Sequence, residues 1–507
     1  MTPVYTLRRS FLAFFLLFPL FSSLIPQNSA AQYRFDEGDW IAWADTREVN
    51  GFGIGKNTIY VATGGGVLRW DRIAKQWMLP WYSVPGPLDA TYFLNNVTSV
   101  YEDPSTLDVY FKKGNGWVVR DYANLRWRPV DQLPDMNQYN YEAETSKLIE
   151  TPDRSIIPPH GYFLNEDGGL DYRLTEWAFV GGISDNMGTS IVGWNKLGVG
   201  VYSEFDPVVQ LYPGGPGPAS VLDVNDSSVW CASNLDLNSR WVWQRDRSED
   251  RWSYHHPGLE WGLTESKLHA LRIGKNGTVW IASSEGVQFY SNDNWHRFEK
   301  SDGLPRQRVY DVEPIGDGAW AATELGLAFI HEMPREVQPL DRRTRSKQAT
   351  YAFSVLTSHQ DTLFAAGPGI LLSYSPNGVW QELKLPFHTA VASQPKAIYK
   401  DNKVLALGDD DGFSWKMGNG EWLFAPATLW HHGSVLSIDF HGGYFWLGTD
   451  SGLVKFDPTY KDAVVYTSEE GLPGSIVFEV FGEGDWLWLG TDVALVRFLW
   501  NAPGRLD

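Results

Sequence analysis

The chain has 507 residues, 43% hydrophobic and 15% aromatic with 25 Trp, so it is too long for one ordinary domain and can bury a large core. A formal charge of −19 repels phosphate backbones and sets nucleic acid aside as a partner. The single cysteine, Cys231, can form no internal disulfide and sits in an apolar strand pattern that suits an inert core thiol.

Residues 1–31 read as a secretory signal. Arg8 and Arg9 give the positive start, Phe11 to Ile25 is apolar apart from Pro19, Ser22 and Ser23, and Ser29-Ala30-Ala31 supplies small residues before Gln32. The apolar length is short for a membrane anchor, and no later run approaches the ~18 apolar residues of a spanning helix. No cysteine flanks the cleavage position, which argues against a lipid-anchored form. The expectation is an exported protein: periplasmic, at the cell surface or extracellular.

Trp40-Ile-Ala-Trp43 resembles the outer strand of a repeat unit, yet no inner strands precede it. From Val49 onward one phrase recurs: an aromatic-led strand ending in small residues and Thr or Ser, then Gly, an apolar strand, and Trp. It reads Tyr60-Val-Ala-Thr63 with Gly66 and Trp70, then Trp280-Ile-Ala-Ser283 with Gly286 and Tyr290, then Trp446-Leu-Gly-Thr449 with Gly452 and Phe456. Eleven units centre on Tyr60, Tyr110, Ile157, Val192, Trp230, Trp280, Trp320, Phe364, Leu405, Trp446 and Trp488. The later ones are about 40 residues apart, and the units at Ser155–Trp177 and Thr189–Tyr202 are weak. Within a unit, Val309-Tyr-Asp-Val-Glu alternates, Gly316-Asp-Gly318 turns, Ala319-Trp-Ala-Ala-Thr323 offers small residues for close approach, and Leu327-Ala-Phe-Ile330 returns. Four short antiparallel strands per unit describe a propeller blade.

The predicted fold is therefore all-β: a β-propeller of two rings totalling about 11–12 four-stranded blades, since single rings mostly hold about 4–8. Residues 32–260 form the first ring and 261–507 the second. The last unit stops after Leu495-Val-Arg-Phe498, where its outer strand is due. Trp40–Ala44 is expected to complete a blade made of later sequence, either the last one or one that closes the first ring.

Trp446-Leu-Gly-Thr-Asp-Ser-Gly-Leu-Val-Lys-Phe-Asp457 followed by Tyr466-Thr-Ser-Glu-Glu-Gly-Leu-Pro473, and Trp280–Tyr290 with Ser301-Asp-Gly-Leu-Pro305, resemble the two-component-regulator propeller repeat. The resemblance covers roughly residues 40–500 and is strongest in the second half. It implies an exported propeller of the kind found in sensor halves of hybrid histidine kinases and in stand-alone secreted proteins. Tandem-propeller proteins of the type IX secretion machinery are similar in outline. The sequence ends at Asp507 with no kinase or receiver pattern, so only the propeller and a binding role carry over.

In a four-stranded blade the turn between the second and third strands and the link to the next blade lie on one ring face. Such turns include Ser284-Glu285, Asp409-Asp410-Asp411 and Asp450-Ser451, and such links hold His255, His256, Trp261, Arg306, Arg308, His431 and His432. Imidazoles beside Trp261 and Trp430, with arginines nearby, suit a sugar or an acidic group; adjacent histidines do not readily share one metal. Asp409-Asp410-Asp411-Gly412 lacks the spacing of a calcium loop and reads as an acidic turn. Gly64-Gly-Gly66 and Gly214-Gly215 have no Lys-Ser/Thr after them, so they are turns rather than phosphate loops. No metal, cofactor or membrane span is expected.

The favoured reading is an exported, non-catalytic propeller that binds a glycan, a peptide or an envelope protein through loops on one ring face. The rivals are a propeller-type polysaccharide lyase using one of the four histidines as base, and a structural adaptor of a secretion or envelope assembly.

Overall fold

The computed structural model describes residues 39–502 apart from 47, 86–90, 95, 124–126, 132–145, 150–178, 186, 195–197, 204–205, 213–215, 235–241, 249–250, 256–261, 265, 341–345 and 387–393. The signal read at 1–31 and the weak unit at Ser155–Trp177 fall outside the described residues. The structure is almost entirely antiparallel sheet, built as the blades of a β-propeller.

Ten sheets, named A to J in chain order, cover 49–81, 97–130, 146–212, 221–255, 268–298, 309–339, 355–382, 397–426, 435–466 and 477–499. Sheet C has five described strands and the others four. A further hairpin pairs Ser83–Pro85 with Thr91–Phe93. Among the described residues, no helix is long and apolar enough to cross a membrane.

The second strand of each unit carries the architecture. Val279–Ser283 and Gly318–Thr323 are buried at every position, because a blade packs against a neighbour on both faces. Such strands therefore read as continuous apolar runs, while the outer strand Asn294–Phe298 buries only Trp295 and Phe298. The Thr or Ser that ends the second strand is explained by its hydroxyl. Thr63, Thr323 and Thr449 each donate to the carbonyl three residues on, at 2.8 Å, and so close the turn. At Gly452, φ is +120° and a Cβ would stand 2.5 Å from the Tyr466 carbonyl, so both conformation and space demand glycine.

Apolar clusters join the sheets in succession. Leu268 and Ile281 meet Val221 and Trp230 between D and E. Trp280 and Phe289 meet Val312 and Ile330 between E and F. Trp320 packs with Leu356 between F and G, Phe364 with Leu405 between G and H, and Trp415 with Phe445 between H and I. Leu453 meets Leu487 between I and J, and Trp488 returns to Leu222 and Trp243 of sheet D. The seven sheets D to J thus form a circuit of contacts, with their first strands innermost. Sheets A, B and C pack as a separate series with A between the other two. A buried ion pair, Arg72 Nε to Asp185 Oδ2 at 3.3 Å, ties A to C.

The N-terminal strand β1 (Trp40–Ala44) is the outer strand of sheet J. It runs antiparallel to Ala494–Leu499, with Trp40 opposite Phe498 and Ala44 opposite Ala494. Trp40 stacks on Phe498 at 3.8 Å and donates from Nε1 to the Glu470 carbonyl, and Trp43 stacks on Trp488 at 5.4 Å. Of the two placements the sequence allowed, the strand takes the last sheet.

Candidate functional site at the ring face

On the face where second strands turn into third strands, turns and links grip each other. Asp450 accepts the Ser434 N–H at 2.9 Å, and Asp492 accepts the N–H groups of Ser475 and Ile476 at 2.8 and 3.0 Å. Gln307 donates to the Glu285 carbonyl at 2.8 Å, and Arg306 pairs with Glu324 at 3.4 Å. Asp409 folds back onto its own turn, accepting from Asp411 and Gly412 N–H. Asp410 beside it pairs with Lys396 and accepts the Ser434 hydroxyl at 2.7 Å, so this part of the acidic turn is held by side-chain donors.

The link 427–434 is the most distinctive loop on this face. Ala427–Trp430 is one turn of 3-10 helix, and its C-cap His431 is left-handed at φ 60°. His432 follows at φ 67°, and both imidazoles are exposed. Elsewhere in the ring the same short turn is capped by Gly303 or Gly471. Two consecutive non-glycine residues in this region cost about 1–2 kcal/mol each. The conformation persists because Trp430 is fully buried and its Nε1 donates to the Gly433 carbonyl at 2.8 Å, while the His432 N–H donates to Ala427. The result is a stiff knuckle that presents Thr428, Leu429, His431 and His432 to solvent.

Of the expected histidines, His255 is placed differently. His255 ends the outer strand Arg251–His255 and is only 9% exposed. It stacks on Trp230 at 5.2 Å and lies 4.9 Å from the Tyr290 ring, so it packs in the D–E core and is not an open ring-face group. His256 and Trp261 lie outside the described residues. Arg306 and Arg308 are exposed on the link from E to F, while His431 and His432 sit on the link from H to I. The described candidates thus lie on sheet D, on the E–F link and on the H–I link, and not in one cluster.

Two features escaped the sequence reading. The first is a bulge near the start of the inner strands. Register shifts fall between Leu268 and Ala270, Val309 and Asp311, Val435 and Ser437, and Val477 and Glu479. The extra residues, His269, Tyr310, Leu436 and Phe478, are half-buried. Bulges re-aim side chains at the rims of sheets. His269 Nε2 lies 3.0 Å from Ser284 Oγ and its ring is 6.0 Å from that of Tyr310. Burial first, then the Lys267 and Arg308 charges, push its pKa down to about 4, so the imidazole is neutral near pH 7.

The second feature lies deeper along the same strands. Arg272 stands 3.7 Å from Asp311 and 3.8 Å from Glu479, with Asp223 and Glu313 in its field. Burial pushes Glu479 up to about 8 and Glu313 up to about 7 against the pull of Arg272, because one guanidinium serves four carboxylates. Three aspartates of this inner layer also bind the next sheet. Asp223 accepts the Ile273 N–H, Asp311 the Leu356 N–H and Asp439 the Gly482 N–H. These acids were visible as charges in otherwise apolar strands, but only the fold shows that they converge.

No known family profile matches the chain, and no curated protein is similar to it in sequence. Solved structures similar in shape include the extracellular domain of the hybrid two-component system BT4673 from B. thetaiotaomicron, at 10% identity and a TM-score of 0.46, covering 91% of this chain and 71% of that one. PorZ, a surface component of the type-IX secretion system of Porphyromonas gingivalis, matches at 10% identity and a TM-score of 0.45, covering 89% and 74%. Virginiamycin B lyase from Staphylococcus aureus matches at 13% identity and a TM-score of 0.42, covering 55% and 94%.

Proposed function

We propose that the chain is an exported, non-catalytic propeller protein that binds a glycan, a peptide or an envelope protein on one face of the D–J ring. The observation that carries this reading is the knuckle at 427–434: two strained, exposed histidines and an exposed Leu429 held rigid by a buried tryptophan. Strain kept in an over-determined loop is the usual mark of a surface selected for recognition rather than for stability. Stiff loops also spend little ordering entropy when a partner docks. In this reading sheets A to C belong to a first propeller body and D to J to a second, which moves the division from the 260/261 expected from the sequence to between Tyr212 and Val221, because sheet D packs on sheets E and J.

A glycan array and a pull-down from envelope extract, each run with the full chain and with His431→Ala/His432→Ala, test the reading. Capture of one defined glycan or protein by the parent chain, lost in the double variant, is the expected result. Equal capture by both would overturn the knuckle as the site. Release of an ultraviolet-absorbing unsaturated sugar from a polyuronate would replace the non-catalytic reading with the lyase.

A further inference from the structure

The half-turn of ring face between sheets E and F carries positive charge that the fold does not use. Lys267 and Arg308 are exposed, and among the described residues neither side chain has an ion-pair or hydrogen-bond partner. Both lie close enough to His269 to depress its protonation. Arg306 is neutralised by Glu324 and Arg297 by Glu299, which leaves Lys267, Lys300 and Arg308 beside the exposed acids Glu285 and Asp302, so three cations face two acids. In a chain of net charge −19, a local positive balance is a departure from the rest of the surface.

The groups between these cations are rings and hydroxyls. His269 and Tyr310 are the bulge residues of neighbouring inner strands, so both leave the regular alternation at the same level of the ring. The neutral imidazole shares a hydrogen bond with Ser284, and the Tyr310 hydroxyl has no partner among the described residues. A flat aromatic surface, neutral donors and acceptors, and two unpaired cations match an acidic sugar. The ring takes the sugar face, the hydroxyls and imidazole take its hydroxyl groups, and the cations take its carboxylate.

We propose that Lys267, Arg308, His269 and Tyr310 form a subsite for a uronic-acid oligosaccharide at the E–F side of the ring face. The proposal rests on the binding-module reading and names a ligand class for a part of the face away from the knuckle. An acidic peptide needs only the cations and would leave the ring pair idle.

The test is titration calorimetry of the full chain with trigalacturonate, with cellotriose as the neutral sugar and triglutamate as the peptide. The expected result is binding of trigalacturonate alone, weakened roughly tenfold or more by Lys267→Ala or Arg308→Ala and by Tyr310→Leu. The two charged positions are exposed, and an unchanged melting temperature will show that their variants are folded. Absence of trigalacturonate binding, or binding untouched by these substitutions, would overturn the subsite. Equal affinity for triglutamate would overturn the sugar assignment. The knuckle experiment above stands apart: its loss with His431→Ala/His432→Ala would keep the binding-module reading even if trigalacturonate never binds.

Discussion

At the residue scale, the knuckle makes opposite predictions for stability and binding. His431→Gly removes a left-handed strain of about 1 kcal/mol, so the denaturation midpoint should rise while partner capture falls. A merely structural loop would gain stability with no loss of capture. Trp430→Ala should act the other way. It empties a fully buried site and frees the Gly433 carbonyl, and should cost about 3–5 kcal/mol by chemical denaturation. Single residues also mark where the sequence ceased to be legible. Trp430 and His431 stood out because an aromatic beside a paired histidine breaks the Gly-Leu-Pro pattern of the equivalent links. His255 looked the same in one dimension, but the last residue of an outer strand can tuck beneath the neighbouring blade, and Trp230 and Tyr290 draw it in. His269 carried no signal at all, because a bulge is a shift in pairing and has no letter of its own.

At the element scale, the strands were legible because turn glycine, terminal Thr or Ser and buried aromatic each solve a local problem that several sheets share, E, F and I most completely. The outer strand β1 was legible for the same reason: its Trp spacing has meaning only if a sheet awaits it. Removal of residues 40–44 should bare the Ala494–Leu499 edge and the faces of Phe498 and Trp488. The expected outcome is a lower melting temperature and concentration-dependent association in light scattering, since an open apolar edge templates further pairing. A truncated chain that stays monodisperse with the parent melting temperature would show that β1 is dispensable. Between blades, Asp439→Ala should cost about 1–3 kcal/mol, because the Gly482 N–H then loses its acceptor.

At the scale of the whole molecule, the inner layer of carboxylates makes stability depend on pH in an uncommon direction. Glu479 and Glu313 hold protons more tightly folded than unfolded, burial being the first cause. Their contribution is therefore complete below the ordinary glutamate range and is lost as pH climbs to about 8. Urea midpoints should fall between about pH 5 and pH 8, and Glu479→Gln should flatten that fall. A profile that rises over this interval in the parent chain would contradict the burial of these acids. This layer could not be read from sequence, because the acids sit on strands tens to hundreds of residues apart.

The position of β1 also fixes a topological relation. Because the chain leaves sheet J at Ala44 and enters sheet D only at Val221, the proposed two-body reading makes the described strands from Val49 to Tyr212 a guest inserted into a host. The two junctions stand together: a Cβ on Gly217 would lie 2.8 Å from that of Asp45. The guest should thus be excisable. Joining Asp45 to Gly217 through a short glycine bridge should leave the host able to fold as a miniature, and the excised half could be swapped for an unrelated domain without opening the circle.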